Sequence, residues 1–154
     1  MKTKIGLPGF LIAILFLSIS LPGCKKERVK FEVTNMVGDG SGKQVVPEIS
    51  TNASSTFFGV YSKGYYNLFI YTIRFKDLSG PWTKISINGP SSSGQNGPEI
   101  HLASSASPSV EGEATGSFNL NSIAGSQLLS GQWYYIILTT THPEGEVRGQ
   151  IIKE

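Results

Sequence analysis

The stretch "GQWYYIILTTTHPEGEVRGQII", Gly131 to Ile152, decides how the chain is read. Trp133 to Thr140 is dense in aromatic and β-branched residues, the composition of a strand. Pro143 presets φ for a turn, and Gly145 can take the left-handed conformation that closes a short loop. A hairpin is therefore predicted, with His142 at or near its tip. On the return strand, period-2 alternation puts Glu146, Arg148, Gln150 and Ile152 on one face and Val147, Gly149 and Ile151 on the other. Glu146 and Arg148 are placed to pair or to orient neighbouring strands. The simplest expectation is a half-solvated salt bridge worth at most about 1 kcal/mol.

The rest of the chain shows the same pattern. No helical apolar period lasts more than two turns, and short β-rich runs are separated by Gly, Ser, Pro and Asn clusters. Strands are predicted at Val29 to Thr34, Thr56 to Ser62, Tyr65 to Phe75, Lys84 to Asn88, Glu99 to Ala103, Glu113 to Asn119, Trp133 to Thr140 and Glu146 to Ile152. Asn121 to Leu129 has the spacing of a short helical crossover, weakened by Gly125. This defines an all-β fold, an antiparallel β-sandwich of about eight strands in the Ig-like or Greek-key manner. The aromatics, from Phe57 to Tyr135, are expected mainly in its core, each burying roughly 150–250 Å².

The N-terminus is of a different kind. Lys2 and Lys4 precede an apolar run from Ile5 to Leu21, which ends in "LPGC" before the chain turns polar. These are the parts of a secretory signal. The run is interrupted by Pro8 and Gly9 and is short for a span that needs about 20 apolar residues. Cys24 is the only cysteine, so no internal disulfide is possible. "LPGC" resembles the bacterial lipobox, with Pro22 where that motif has a small or β-branched residue. The resemblance implies cleavage before Cys24 and acylation of its thiol and new amino terminus. The expected organisation is a lipoprotein signal peptide over 1–23, an acylated basic tether over 24–30 and one domain over 31–154. Lys25 after the cysteine resembles lipoproteins passed to the outer membrane of Gram-negative cells.

Several chemistries are poorly supported. The tether is basic, but residues 31–154 carry 7 basic and 10 acidic side chains, so nucleic acid is not an expected partner. "GDGSGK", Gly38 to Lys43, has Val37 where a P-loop has its leading glycine and Gln44 where Ser or Thr belongs. "GPSSSGQNGP", Gly89 to Pro98, lacks a nucleophile elbow. Both are read as flexible surface loops. The chain has 2 histidines, His101 and His142, which are too few for a typical three- or four-ligand metal site.

The closing stretch resembles the C-terminal motif of the CHRD domain, named after chordin and found also in bacterial secreted and lipid-anchored proteins. Tyr134, Thr139, Pro143, Gly145, Glu146, Arg148, Gly149 and Gln150 match, with Val147 a conservative variant. "KQVVPEIST" is similar to the family's opening motif at Gln44, Val46, Pro47 and Thr51, with Val45 in place of Glu. "SINGPSSSGQNGPEIHL" is similar to its His-Ile-His-Gly-Pro block at Ile87, Gly89 and Pro90. The likeness spans roughly residues 30–152. The family's His-x-His pair falls on Ser86 and Asn88, its third histidine on Leu138 and its strand-borne asparagine on Ile136. Three histidines so placed suggest a transition-metal site in the family. Serine, asparagine and leucine do not form one.

The resemblance implies a non-catalytic, lipid-anchored binding or structural module of the bacterial cell envelope, without cofactor. Its partners would be membrane lipid through acylated Cys24 and a protein or glycan ligand. Two alternatives are a redox metalloprotein, because the family sandwich is similar in outline to copper-zinc superoxide dismutase, and a carbohydrate-binding or adhesive module using aromatics such as Trp82 and Trp133.

Overall fold

Side chains that alternate between oil-like and polar along a run are satisfied only when one face of the strand is covered. In a computed structural model of the protein, which describes residues 30–64, 66–103 and 108–154, eight such runs pair into one antiparallel sheet. The strands are β1 (Glu32–Ser41), β2 (Ser54–Lys63), β3 (Leu68–Lys76), β4 (Trp82–Asn88), β5 (Glu99–Ala103), β6 (Gly112–Asn119), β7 (Trp133–Thr139) and β8 (Val147–Lys153). A helix, α1 (Ser122–Leu129), links β6 to β7. The signal peptide and most of the basic tether, Cys24 included, lie outside the described residues, as does Tyr65.

The sheet order is β5-β4-β7-β8-β1-β2-β3-β6, and the expected all-β, antiparallel sandwich-like architecture is what the chain adopts. The sheet folds over on itself. It is continuous where β8 pairs with β1, and it brings the two halves face to face around one core. Phe57 of β2 stacks on Tyr135 of β7 at 5.4 Å, and Phe69 of β3 meets the edge of Trp133 at 6.4 Å. Most aromatics are core residues: Trp133 is 0% and Trp82 5% exposed. Neither can serve as an open sugar platform, so the adhesive reading loses the two residues it named.

Two sequence expectations change, and the predicted helix gains its reason. "GDGSGK" is not a flexible loop: Gly38 to Ser41 complete β1, and only Gly42 to Gln44 leave it, as a short 3-10 turn. The glycines serve close approach between strands. A Cβ on Gly38 would collide with the Gln150 carbonyl, and one on Gly40 would lie 2.7 Å from the Tyr135 hydroxyl. β3 starts at Leu68 rather than Tyr65, after Asn67 takes a φ of 44°. In α1, capped by the Asn121 side chain on the Ala124 N–H, Gly125 is buried against Tyr61, whose Cζ would lie 2.8 Å from a Cβ there. The glycine that weakens the helix is the one that lets it dock.

The two ends of the sheet, β5 and β6, do not pair by backbone ladder. Side chains close this seam: His101 of β5 stacks on Phe118 of β6 at 4.1 Å and 15°, with Tyr71 edge-on at 5.9 Å. Burial pulls the His101 imidazole below its usual pKa, and the charge of Glu99 opposes that only in part. The neutral ring is therefore the form the fold favours. Its contribution to stability is fully present above about pH 6.5, where the unfolded chain's histidine is also neutral, and is lost as pH falls through the lowered folded-state value. Between pH 7 and 5 the wild type should lose more in Tm than His101→Phe, which keeps a stacked ring without the titration. Equal losses in thermal melts of the two proteins would remove His101 from this role.

Candidate functional site

β7 leads into the closing motif through a turn built on Thr139. Its N–H donates to the His142 carbonyl at 3.1 Å, its hydroxyl accepts the His142 N–H at 3.0 Å, and the Gly145 N–H returns to the same carbonyl at 3.1 Å. Gly145 has a φ of +128°, and a Cβ there would come within 2.5 Å of the Ile136 Cδ1. His142 is half-buried in this turn, beside Val45, Val46, Pro47 and Ile49 of the opening loop.

Glu146 follows the turn and is fully buried, at 0% exposure. Its Oε1 accepts the Thr51 hydroxyl and the Ser79 N–H, each at 2.8 Å, and its Oε2 accepts the Thr139 hydroxyl at 2.7 Å. These donors come from three places: the β1–β2 connection, the β3–β4 connection and the end of β7. Burial alone pushes the carboxyl's pKa up, but the bonds from Ser79, Thr139 and Thr51 favour the charged form more strongly and bring it below the usual carboxylate value.

The expected Glu146–Arg148 salt bridge is not formed. Arg148 is also buried, at 1% exposure, on the outward face of β8. Its guanidinium lies 3.7 Å over the Tyr134 ring, donates from Nη2 to the Gln95 carbonyl at 2.7 Å and from Nη1 to the Asn96 Oδ1 at 3.3 Å. The Tyr134 hydroxyl meets both backbone groups of Gly97, accepting its N–H at 3.0 Å and donating to its carbonyl at 3.2 Å. The segment read as a flexible loop is thus a surface loop fastened to the sheet by a tyrosine and an arginine. Asn96 extends the fastening to the Val46 carbonyl at 3.2 Å.

Gln150 completes the pattern. Its backbone N–H donates to the Gln44 Oε1 at 3.2 Å, and its side chain donates to the carbonyls of Gly131 and Trp133 at 2.7 and 3.0 Å. Gln44 in turn donates to the Asp39 carbonyl at 2.7 Å. The opening and closing motifs therefore touch each other twice, at Gln44–Gln150 and Thr51–Glu146. Gly149 admits the Tyr135 ring, which a Cβ would meet at 2.5 Å. Gly89, at φ +148°, leaves room for Trp133, whose Cδ1 a Cβ would meet at 2.7 Å. Pro47 and Pro90 are exposed.

Ser86, Asn88 and Leu138 do share one place. They line a pocket of about 230 Å³ on the outward face of β4 and β7, with Tyr134, Ile136 and Asn96. Within it the Ser86 hydroxyl donates to the Asn88 Oδ1 at 2.7 Å, and the Asn88 amide reaches the Gly97 carbonyl at 3.4 Å. These three positions do not fit a zinc or copper ion, because two neutral oxygens bonded to each other face a leucine; Glu99 and Glu144 also line the pocket, and Glu99 pairs with Lys84. His101 lies on the opposite, inner face, in register with Ile87. Among the described residues no three His, Cys, Asp or Glu side chains come together as a metal site.

A folded-over antiparallel sheet, pinned by a buried glutamate and arginine that follow a tight turn, defines a structural class. Residues 38–151 match the CHRD domain family, and the chain belongs to that family, which is not a known catalytic one. No curated protein and no solved structure gives a significant match. The residues that sequence reasoning missed are Gln95, Asn96 and Ser79. They lie in polar connections, where composition signals a turn and nothing signals its partner.

Glu146→Gln should cost about 2–3 kcal/mol, because the amide turns a donor toward a shell made of donors. The carboxylate's stabilisation is present above about pH 4.5 and is lost as pH falls through its depressed folded-state value. Denaturant melts should therefore show the gap between wild type and Glu146→Gln narrowing below about pH 4. A gap that stays constant with pH would contradict the hydrogen-bonded carboxylate.

Proposed function

We propose that the protein is a non-catalytic, lipid-anchored CHRD-domain module of the bacterial cell envelope, held to a membrane through acylated Cys24 and acting in binding. The observation that carries the non-catalytic part is the use of the motif side chains. Glu146, Arg148 and Gln150, the groups most able to do chemistry, are buried or engaged in holding connections to the sheet. In the pocket that collects Ser86, Asn88 and Leu138, the Ser86 hydroxyl donates to the Asn88 amide oxygen and the Lys84 ammonium pairs with Glu99, so the serine and the lysine are both engaged with neighbours.

The anchored part is supported by the "LPGC" sequence and by distance. Seven residues lie between Cys24 and the start of β1, a reach of at most about 28 Å, so an acylated Cys24 would keep that end of the sheet close to the bilayer. Phe31 and Val33 are exposed at this end, and Lys63 stands opposite Glu32. Lys25, Lys26, Arg28 and Lys30 would add about 1 kcal/mol each on an anionic surface. An outer-membrane address, where the cell has one, is consistent with Lys25.

Metabolic labelling with a palmitate analogue should give an acylated protein in the membrane fraction, and Cys24→Ser should lose the label and move to the soluble fraction. An unlabelled wild type overturns the anchor.

A further inference from the structure

We infer that the pocket over Arg148 binds a small oxyanion, a carboxylate or phosphate group presented by the module's ligand. This deepens the binding reading above and rests on it, but not on acylation.

Arg148 is a buried cation without a counter-ion. The ion pairs among the described residues are Arg74–Glu113 and Lys84–Glu99, both between exposed or half-exposed side chains, and neither includes it. Its protein acceptors, the Gln95 carbonyl and the Asn96 amide oxygen, are neutral and take two of its five N–H donors. A buried charge compensated only by neutral acceptors and one aromatic face is costly, and an anion that reaches its free edge gains a charge-assisted bond.

The space for that anion is present. A pocket of about 180 Å³ has Arg148 in its lining, together with Lys43, Ser93, Gly94 and Val45, and no acidic side chain. Lys43 is exposed, so its ammonium can swing over the opening. The far rim is the turn Ser92–Gln95, closed by the Gln95 N–H on the Ser92 carbonyl at 3.1 Å, with Gly94 at φ +74°. Nothing lies within 4 Å of a Cβ placed on Gly94, so this side is open to solvent. A buried guanidinium bordering the pocket with three N–H donors uncommitted to protein acceptors, one exposed ammonium and a hydroxyl make a recognisable site for a planar or tetrahedral oxyanion.

The test uses the full-length chain in a neutral detergent, titrated calorimetrically with inorganic phosphate or acetate against chloride at equal ionic strength. Vesicles with and without phosphatidylglycerol form a further arm. Saturable millimolar binding of phosphate or acetate but not chloride is expected. Binding of the free ions marks a soluble or peptide-borne group. Tighter binding to the anionic vesicles that is lost in Ser93→Glu marks a headgroup, because the basic tether is unchanged in that variant. Lys43→Met should weaken binding about 3- to 10-fold, and Ser93→Glu, which puts a carboxylate on the rim, should abolish it. Both positions are exposed, so neither variant needs Arg148 to change. Cys24→Ser should bind the free ions as the wild type does, which separates this result from a failure of the anchor. Absence of saturable binding above the chloride control, or unchanged binding in Lys43→Met and Ser93→Glu, overturns the site.

Discussion

The carboxylate of Glu146 is the constraint on which the other arrangements depend. A charge taken fully out of water costs several kcal/mol, and only well-aimed donors repay it. Glu146 finds three of them in segments far apart in the sequence: Thr51 before β2, Ser79 before β4 and Thr139 at the end of β7. Each of these connections crosses the same end of the sandwich. Binding all of them to one anion fixes where β2, β4 and β7 begin or end, and therefore how the two halves of the sheet sit over the core.

Arg148, two residues on, does the corresponding work on the outward face. If it paired with Glu146, each charge would be neutralised locally and the loops would be left to water. Instead the carboxylate collects hydroxyl and amide donors while the guanidinium collects carbonyl and amide acceptors. The same two charges thus hold four segments rather than one another. Tyr134 makes this economical: its ring supports the guanidinium and its hydroxyl seats Gly97, so one side chain serves both neighbours. Gln44 and Gln150 then tie the opening connection to β8 two residues beyond Arg148.

The strands were legible because alternation reports burial directly. "LFIYTIRFK" reads in-out from its letters, and Phe69, Tyr71, Ile73 and Phe75 are the buried set. The hairpin was legible for a related reason, since Pro143 and Gly145 leave few backbone choices. Gly38 and Gly40 were not, because glycine marks loops and close approaches alike. Only the partners, Gln150 and Tyr135, tell the two apart. The fate of Glu146 was hidden in the same way. Spacing placed it beside Arg148, but its true partners lie 95 and 67 residues away in sequence, at Thr51 and Ser79.

These anchors also explain how the outward face of β4 and β7 can change without loss of the fold. Ser86, Asn88 and Leu138 share a pocket with Ile136, but none of them holds Glu146 or Arg148 in place. Side chains on this face point away from the core formed by Ile85, Ile87, Tyr135 and Ile137, so replacing them alters what the pocket offers and leaves the packing beneath intact. A domain built this way separates its scaffold from its ligand chemistry. The positions that look most chemical, a buried glutamate and a buried arginine, are scaffold first. The anion site inferred above would draw on the remaining N–H donors of that arginine and on the small polar residues around it.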